Sequence, residues 1–292
     1  MKKTKRTIDY IAAAMIGIGS FAAPEALAAL SVTTTSSAAT LAGAILGGGI
    51  TLNSASYAGD SSASGTFTGG STVPLGFESG ILLTTGMAST AGTGVNTSSG
   101  ATTSHATAGD AALTTQAGYP THDAAILSMN FTISPTDVGN IFFNFVFASE
   151  EYNEYAPSEY NDVFRLELDG SNIAMLPGGA GVVSINNVNL GSNSAYYINN
   201  SPGIHAIEYD GLTTVLTASA IGLAPGAHTL RFAIADTSDS VLDSAVFIQG
   251  GSFSTTMTPV PEPSTILAGA LLAIPFGIRS YRQFRSRNTI VS

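Results

Sequence analysis

Whatever chemistry this chain performs must come from three acidic clusters: Ser149-Glu150-Glu151-Tyr152-Asn153-Glu154-Tyr155, Glu159-Tyr160-Asn161-Asp162, and Asp236-Thr237-Ser238-Asp239-Ser240 to Asp243. Each falls in a loop joining predicted strands. Glu150 and Glu151 follow a strand over 141–148 and Asp162 precedes the next, so these carboxylates share one end of that pair; Asp236 and Asp243 flank the last loop in the same manner. If the two loops are neighbours, four or five carboxylates converge. Unneutralised, they would repel by several kcal/mol at short range, whereas Ca²⁺ takes six to eight such oxygens at about 2.4 Å. The candidate calcium ligands are Glu150, Glu151, Asp162, Asp236 and Asp243, with Asp110, Asp123 and Asp239 as weaker ones. EF-hand spacing and its central glycine are absent, so the signal is a constellation and not a motif. Its alternative is a set of dispersed, solvated loops.

Tyr152, Tyr155 and Tyr160 lie among these carboxylates, and amphipathic rings beside a calcium could hold a polysaccharide. Tryptophan, the largest flat platform for a sugar, is absent, and loop tyrosines also cap core ends. A glycosidase needs two carboxylates, one of them protonated, and the acidic clusters are rich enough to contain such a pair. Other catalytic patterns are missing. There is no Gly-x-Ser-x-Gly elbow, and His105, His122, His205 and His228 show no metal-ligand spacing. Gly178-Gly179-Ala180-Gly181 precedes a strand rather than a helix, which makes it a turn and no phosphate cradle. With no cysteine, thiol catalysis, disulfides and Cys-ligated zinc are excluded.

The elements that must position these loops read as β-strands. Ile141, Phe143, Phe145 and Phe147 take alternate positions in a central strand. Phe164, Leu166 and Leu168 alternate with outward Arg165 and Glu167, and Asp169-Gly170 follows as a hairpin turn. Residues 173–176, 182–188, 212–218, 228–235 and 244–248 read as further strands, with no capped amphipathic helix between them. Short strands separated by Gly, Asn, Ser and Pro, without helical crossovers, predict an all-β fold, an antiparallel β-sandwich or a jelly-roll-like domain. Residues 84–122, rich in Thr, Ser, Gly and Ala, read as a long surface loop.

Both ends read as processing segments. Lys2, Lys3, Lys5 and Arg6, an apolar stretch from Ile11 to Ala23, and Ala26-Leu27-Ala28 compose a secretory signal peptide over 1–28. At the other end, Pro261-Glu262-Pro263 is followed by an apolar run of 13 residues, 266–278, and by Arg279, Arg282, Arg285 and Arg287. That run covers roughly 20 Å, short of the roughly 30 Å hydrocarbon core of a bilayer. The arginines behind it would be held on the cytoplasmic side. This three-part order over 259–288 resembles the bacterial PEP-CTERM sorting signal. The resemblance implies transient inner-membrane association, processing near Pro-Glu-Pro by an exosortase, and export to the cell surface or exopolysaccharide matrix.

Without the two ends, the charge balance is extreme. Eight of the ten Lys and Arg residues lie in them, leaving Arg165 and Arg231; only Asp9, Glu25 and Glu262 of the 20 acids are removed, so 17 remain. The body carries a formal charge of −15 and no lysine. Nucleic acid needs a basic footprint and is excluded as a partner.

Within the body, Phe147-Ala148-Ser149-Glu150-Glu151-Tyr152-Asn153-Glu154-Tyr155, Tyr160-Asn161-Asp162-Val163-Phe164, Tyr209-Asp210-Gly211-Leu212-Thr213-Thr214-Val215-Leu216 and Ala233-Ile234-Ala235-Asp236 to Asp243-Ser244-Ala245-Val246-Phe247 stand in order. Together with Ser79-Gly80-Ile81-Leu82-Leu83-Thr84-Thr85-Gly86 upstream, they resemble the choice-of-anchor L domain over roughly 41–253. The resemblance implies one domain over 29–258, with 84–122 as its internal loop, and supplies no catalytic set. The expected protein is a non-enzymatic, exported structural or adhesive component held by calcium, with surface polysaccharide or matrix proteins as partners. The alternatives are a polysaccharide-active enzyme and a carbohydrate-binding module.

Overall fold

The computed structural model describes residues 29–134, 139–201 and 203–259. The signal-peptide segment 1–28 and the sorting residues Pro261, Glu262, Pro263, Arg279, Arg282 and Arg285 lie outside the described residues. Among the described residues no helix is long and apolar enough to cross a membrane.

The elements run β1 (Ser31–Thr34), α1 (Ala38–Ile45), β2 (Ile50–Ala58), β3 (Ser64–Thr68), β4 (Gly80–Thr84), α2 (Ala111–Ala117), β5 (Thr121–Ile133) and β6 (Ile141–Ser149). They continue with β7 (Val163–Leu168), β8 (Ser171–Asn172), β9 (Tyr197–Asn199), β10 (Gly211–Thr213), β11 (Leu216–Ala220), β12 (Gly226–Thr237) and β13 (Ser244–Gln249). One sheet has eight strands in the order β1-β3-β4-β13-β6-β10-β9, with β11 also on β6; the other has five, β2-β5-β12-β7-β8. Every strand pairing is antiparallel. The fold is mostly β in antiparallel sheets, as expected, with two short α-helices that the all-β reading left out.

Alternation explains the layering, because successive side chains of a strand point to opposite faces. Phe143, Phe145 and Phe147 of β6 meet Phe164 of β7 and Phe232 of β12 between the sheets; ring centroids lie 5.4 Å apart for Phe143–Phe232 and 5.2 Å for Phe145–Phe164. The other face of β6, Val146 and Ala148, packs beneath Val73, Leu75, Phe77 and Tyr209. Leu113 of α2 covers Ala233 and Ala235 on the outside of the five-stranded sheet. Each fully buried aromatic stabilises the fold by roughly 1.5–3 kcal/mol relative to exposure.

Three readings are corrected. Residues 173–176 and 182–188 do not form ladders; they make only isolated bridges, Met175 to Val182 and Val163 to Ser184. Asparagine side chains take the backbone partners instead: Asn172 Oδ1 accepts the Leu166 and Ala174 amides, and Asn187 donates to the Val182 carbonyl at 2.7 Å. Residues 212–218 split into β10 and β11, both on β6. Finally, 84–122 is no featureless loop: it contains α2, whose N-cap Asp110 accepts from the Ala112 and Leu113 amides at 3.0 Å.

Candidate functional site

The two sheets present the same change of chemistry at one end. Two residues beyond the last apolar core position of each strand, Phe147 gives way to Ser149, Val246 to Ser244, Leu83 to Thr85, Phe164 to Asp162 and Ile234 to Asp236. All five polar residues are buried. The opposite end is closed by apolar Phe131, Phe143 and Phe253. The sandwich is therefore greasy along most of its length and acidic at one mouth.

A hydrogen-bond chain with one link between the sheets runs there. The Ser244 hydroxyl lies 2.8 Å from Ser149 Oγ and 2.6 Å from Asp162 Oδ2, while the Thr237 amide donates to Asp162 Oδ1 at 2.8 Å. Asp162 is thus satisfied. Asp236 is not: neither carboxylate oxygen has a hydrogen-bond partner, the Thr85 hydroxyl coming near without bonding geometry. Glu151 Oε2, Asp243 Oδ2 and both oxygens of Glu150 are likewise buried and unpartnered. Burying a polar group without a hydrogen bond costs a few kcal/mol, and an isolated charge far more.

The electrostatics follow. Burial first, then the charge of Asp162, raises Asp236 well above the ordinary carboxylate range; Asp162 is raised in turn by burial, against the bonds from Ser244 and Thr237. Burial and the charges of Asp162 and Asp239 push Glu151 to about 9. Burial and the charges of Asp210, Glu208 and Asp243 push Glu150 to about 9 as well, despite the nearby Ala101 amide. Asp243 rises to about 6, burial outweighing the Thr103 amide and the nearby His105. Among the described residues neither arginine relieves this. Both arginines lie outside the five-stranded sheet, Arg165 on Glu167 at 2.6 Å and Arg231 on Glu167 at 3.1 Å and Asp110 at 2.5 Å.

A strap formed by residues 96–108 crosses this mouth. The Thr103 amide donates to Asp243 Oδ1 at 2.9 Å, and the Asp243 amide donates to the Ala101 carbonyl at 3.2 Å. Asp123, at a bulge in β5 with φ 46°, accepts from the His105 amide at 3.0 Å and the Thr107 amide at 2.6 Å. Gly86 lies directly beneath Asp243, where a Cβ would fall 1.6 Å from Oδ2.

Glu150, Glu151, Asp162, Asp236 and Asp243 are therefore at one end of the sandwich, where the two loops, left as possible neighbours by the sequence, lie together. Of the weaker candidates, Asp110 caps α2, Asp123 pins the strap, and Asp239 accepts from the Val241 amide in its own loop. Tyr152 is buried against Tyr197, with centroids 4.8 Å apart; Tyr155 is 41% exposed and meets Tyr160 edge to face at 5.5 Å. Sequence reasoning missed the serines of the mouth, the strap, and Glu208 and Asp210. The alternating stripes carried the first signal, since each continues into a small or acidic residue. Among the described residues no three Asp, Glu or His side chains are placed to hold a metal ion.

The family model described as Choice-of-anchor L domain matches residues 31–254, nearly the whole described body. The chain belongs to the choice-of-anchor L family. No curated protein and no solved structure matches it. The matched segment of this choice-of-anchor L domain includes both sheets, the strap and all the carboxylates of the mouth.

Proposed function

We propose that this choice-of-anchor L protein is an exported, surface-associated component with a structural or adhesive role, processed at its PEP-CTERM-like tail, and that calcium locks its acidic mouth. One observation carries the calcium reading: Asp236, Asp243 and Glu151 hold buried carboxylate oxygens without partners, while both arginines of the body are committed elsewhere. A hard divalent cation supplies what is missing, since Ca²⁺ is ligated by carboxylate oxygens at 2.3–2.6 Å. Family membership supports the surface association. The near-complete burial of Glu150 and Glu151 denies a sugar ring access to them, which argues against a glycosidase pair. A carbohydrate contact rests instead on the accessible Tyr155 and Tyr160.

The test is thermal unfolding of the purified chain in EDTA, then in millimolar Ca²⁺ or Mg²⁺ at matched ionic strength. A cation at a hundred times its Kd adds about 2.7 kcal/mol, or roughly 5–10 °C for a body of this size. A rise specific to Ca²⁺ supports the reading; equal midpoints in all three solutions overturn it.

A further inference from the structure

The inner row of β12, Leu230, Phe232 and Ile234, begins on a histidine at the pole away from the mouth. His228 pairs with Phe131 of β5 and stacks on its ring, with centroids 5.5 Å apart and planes at 30°, and its side chain is only 10% exposed. Its Nδ1 lies 2.7 Å from Asp169 Oδ2, on the turn between β7 and β8. Its Nε2 lies 2.8 Å from the Ala224 carbonyl oxygen, on the connection that carries the chain from β11 of one sheet to β12 of the other. That connection is also held at the approach to β6, where the Leu223 amide donates to the Gly139 carbonyl at 2.5 Å.

Both ring nitrogens therefore face acceptors. A neutral imidazole carries one N–H and would set a bare nitrogen against either the carboxylate or the carbonyl, whereas the imidazolium donates to both. Asp169 also accepts from the Thr229 amide at 2.8 Å. We infer that His228 is a pH-operated latch: as an imidazolium it ties the β11–β12 crossover to the β7–β8 turn, and loss of its proton to solvent releases one of the two. Among the described residues Asp169 is the charged group that faces the ring; β5 presents Phe131, and Arg165, Glu167 and Arg231 pair with one another on the outer face of the same sheet. The shifts of the two partners are reciprocal. Burial lowers His228, but the Asp169 and Ala224 acceptors raise it above its ordinary value of 6.5; burial raises Asp169, but the bonds from His228 and Thr229 hold it below its ordinary 3.8. The latch therefore contributes fully between those two ordinary values, and its contribution is lost as pH rises through the raised value of His228 or falls through the lowered value of Asp169. It asks nothing of the calcium reading.

Nuclear magnetic resonance of the purified, ¹⁵N-labelled full-length chain, titrated from about pH 5 to 9, tests the latch. His228→Gln identifies the ring signal against those of His105, His122 and His205. Two protonated ring nitrogens and a midpoint above about 6.5 are expected, with the midpoint falling towards that value in Asp169→Asn. Hydrogen exchange at the Leu223 amide is the second readout: its protection should drop as the ring loses its proton in the unaltered chain, and should be low without that step in His228→Gln. A midpoint at or below about 6.5, or one that Asp169→Asn leaves unmoved, would overturn the latch. So would a drop in Leu223 protection with the same pH profile in His228→Gln, which would belong to the rest of the molecule. If His228→Gln does not fold, the ring titration of the unaltered chain and of Asp169→Asn still decides.

Discussion

Ser244 Oγ and Asp162 Oδ2 lie 2.6 Å apart, and they belong to opposite sheets: Ser244 opens β13 of the eight-stranded sheet, and Asp162 immediately precedes β7 of the five-stranded one. At the acidic mouth this hydrogen bond ties the two sheets together. Ser244→Ala removes the donor and leaves a buried carboxylate oxygen unpaired, which should cost about 1–3 kcal/mol in chemical denaturation. A Ser244→Ala protein as stable as the original would remove Asp162 as a cross-sheet tie.

Stability should fall with rising pH in the absence of cations. Glu150 and Glu151 titrate near 9 in the folded state against an ordinary value of 4.5, so between those limits the native protein holds protons that the unfolded chain has released. Their contribution is full below about 4.5 and lost as pH rises through about 9, at roughly 1.4 kcal/mol per unit for each group that is fully coupled. Denaturation midpoints measured in EDTA from pH 5 to 9 should decline, and saturating Ca²⁺ should flatten the slope.

Asp236→Asn gives opposite signs in two solutions. In EDTA it removes a buried, repelled charge and should leave the midpoint unchanged or higher; in Ca²⁺ it should abolish the increment. Glu78→Gln is the control, because the Glu78 carboxylate is held by the Gly69 amide and by Ser71, away from the mouth, and should keep the full calcium effect. Parallel losses in both variants would argue against a defined site.

Gly86→Ala should displace Asp243, since the new methyl cannot share space with Oδ2. Overpacking of this kind typically costs 1–3 kcal/mol. The strap should loosen with it, which faster hydrogen exchange at the Thr103 amide would report.

Asp110→Ala separates structural from ligand carboxylates. Losing the α2 cap and the Arg231 contact should cost about 1–2 kcal/mol while leaving calcium uptake untouched. Loss of a calcium equivalent would return Asp110 to the ligand set.

The strands most legible in the sequence were those with a strict apolar period and a turn residue behind it: β6, β7, β12 and β13 match their readings to within a few residues. That register put Glu150, Glu151 and Asp162 at one end of a strand pair and Asp236 and Asp243 around one loop, and left open whether the two loops are neighbours. Two kinds of information were not in the pattern. Asparagine side chains that replace a ladder look, in sequence, like the same apolar run broken by a turn, so 173–176 and 182–188 read as strands. The strap is composed of small polar residues with no period, and its order comes from Asp243, Asp123 and Asp210, far along the chain. Burial state was hidden too: Glu150 and Glu154 look alike in sequence, yet one is sealed and the other exposed.

Thr103 is held by a residue 140 positions downstream and Asn96 by one 114 positions downstream. Contacts of such separation form late, because loop closure costs entropy before they repay it. The strap is fastened to residues of the mouth, so it docks no earlier than they are in place. While it remains undocked, the carboxylates beneath it face the medium directly, so the ionic composition in which the protein folds acts on them before the mouth is sealed.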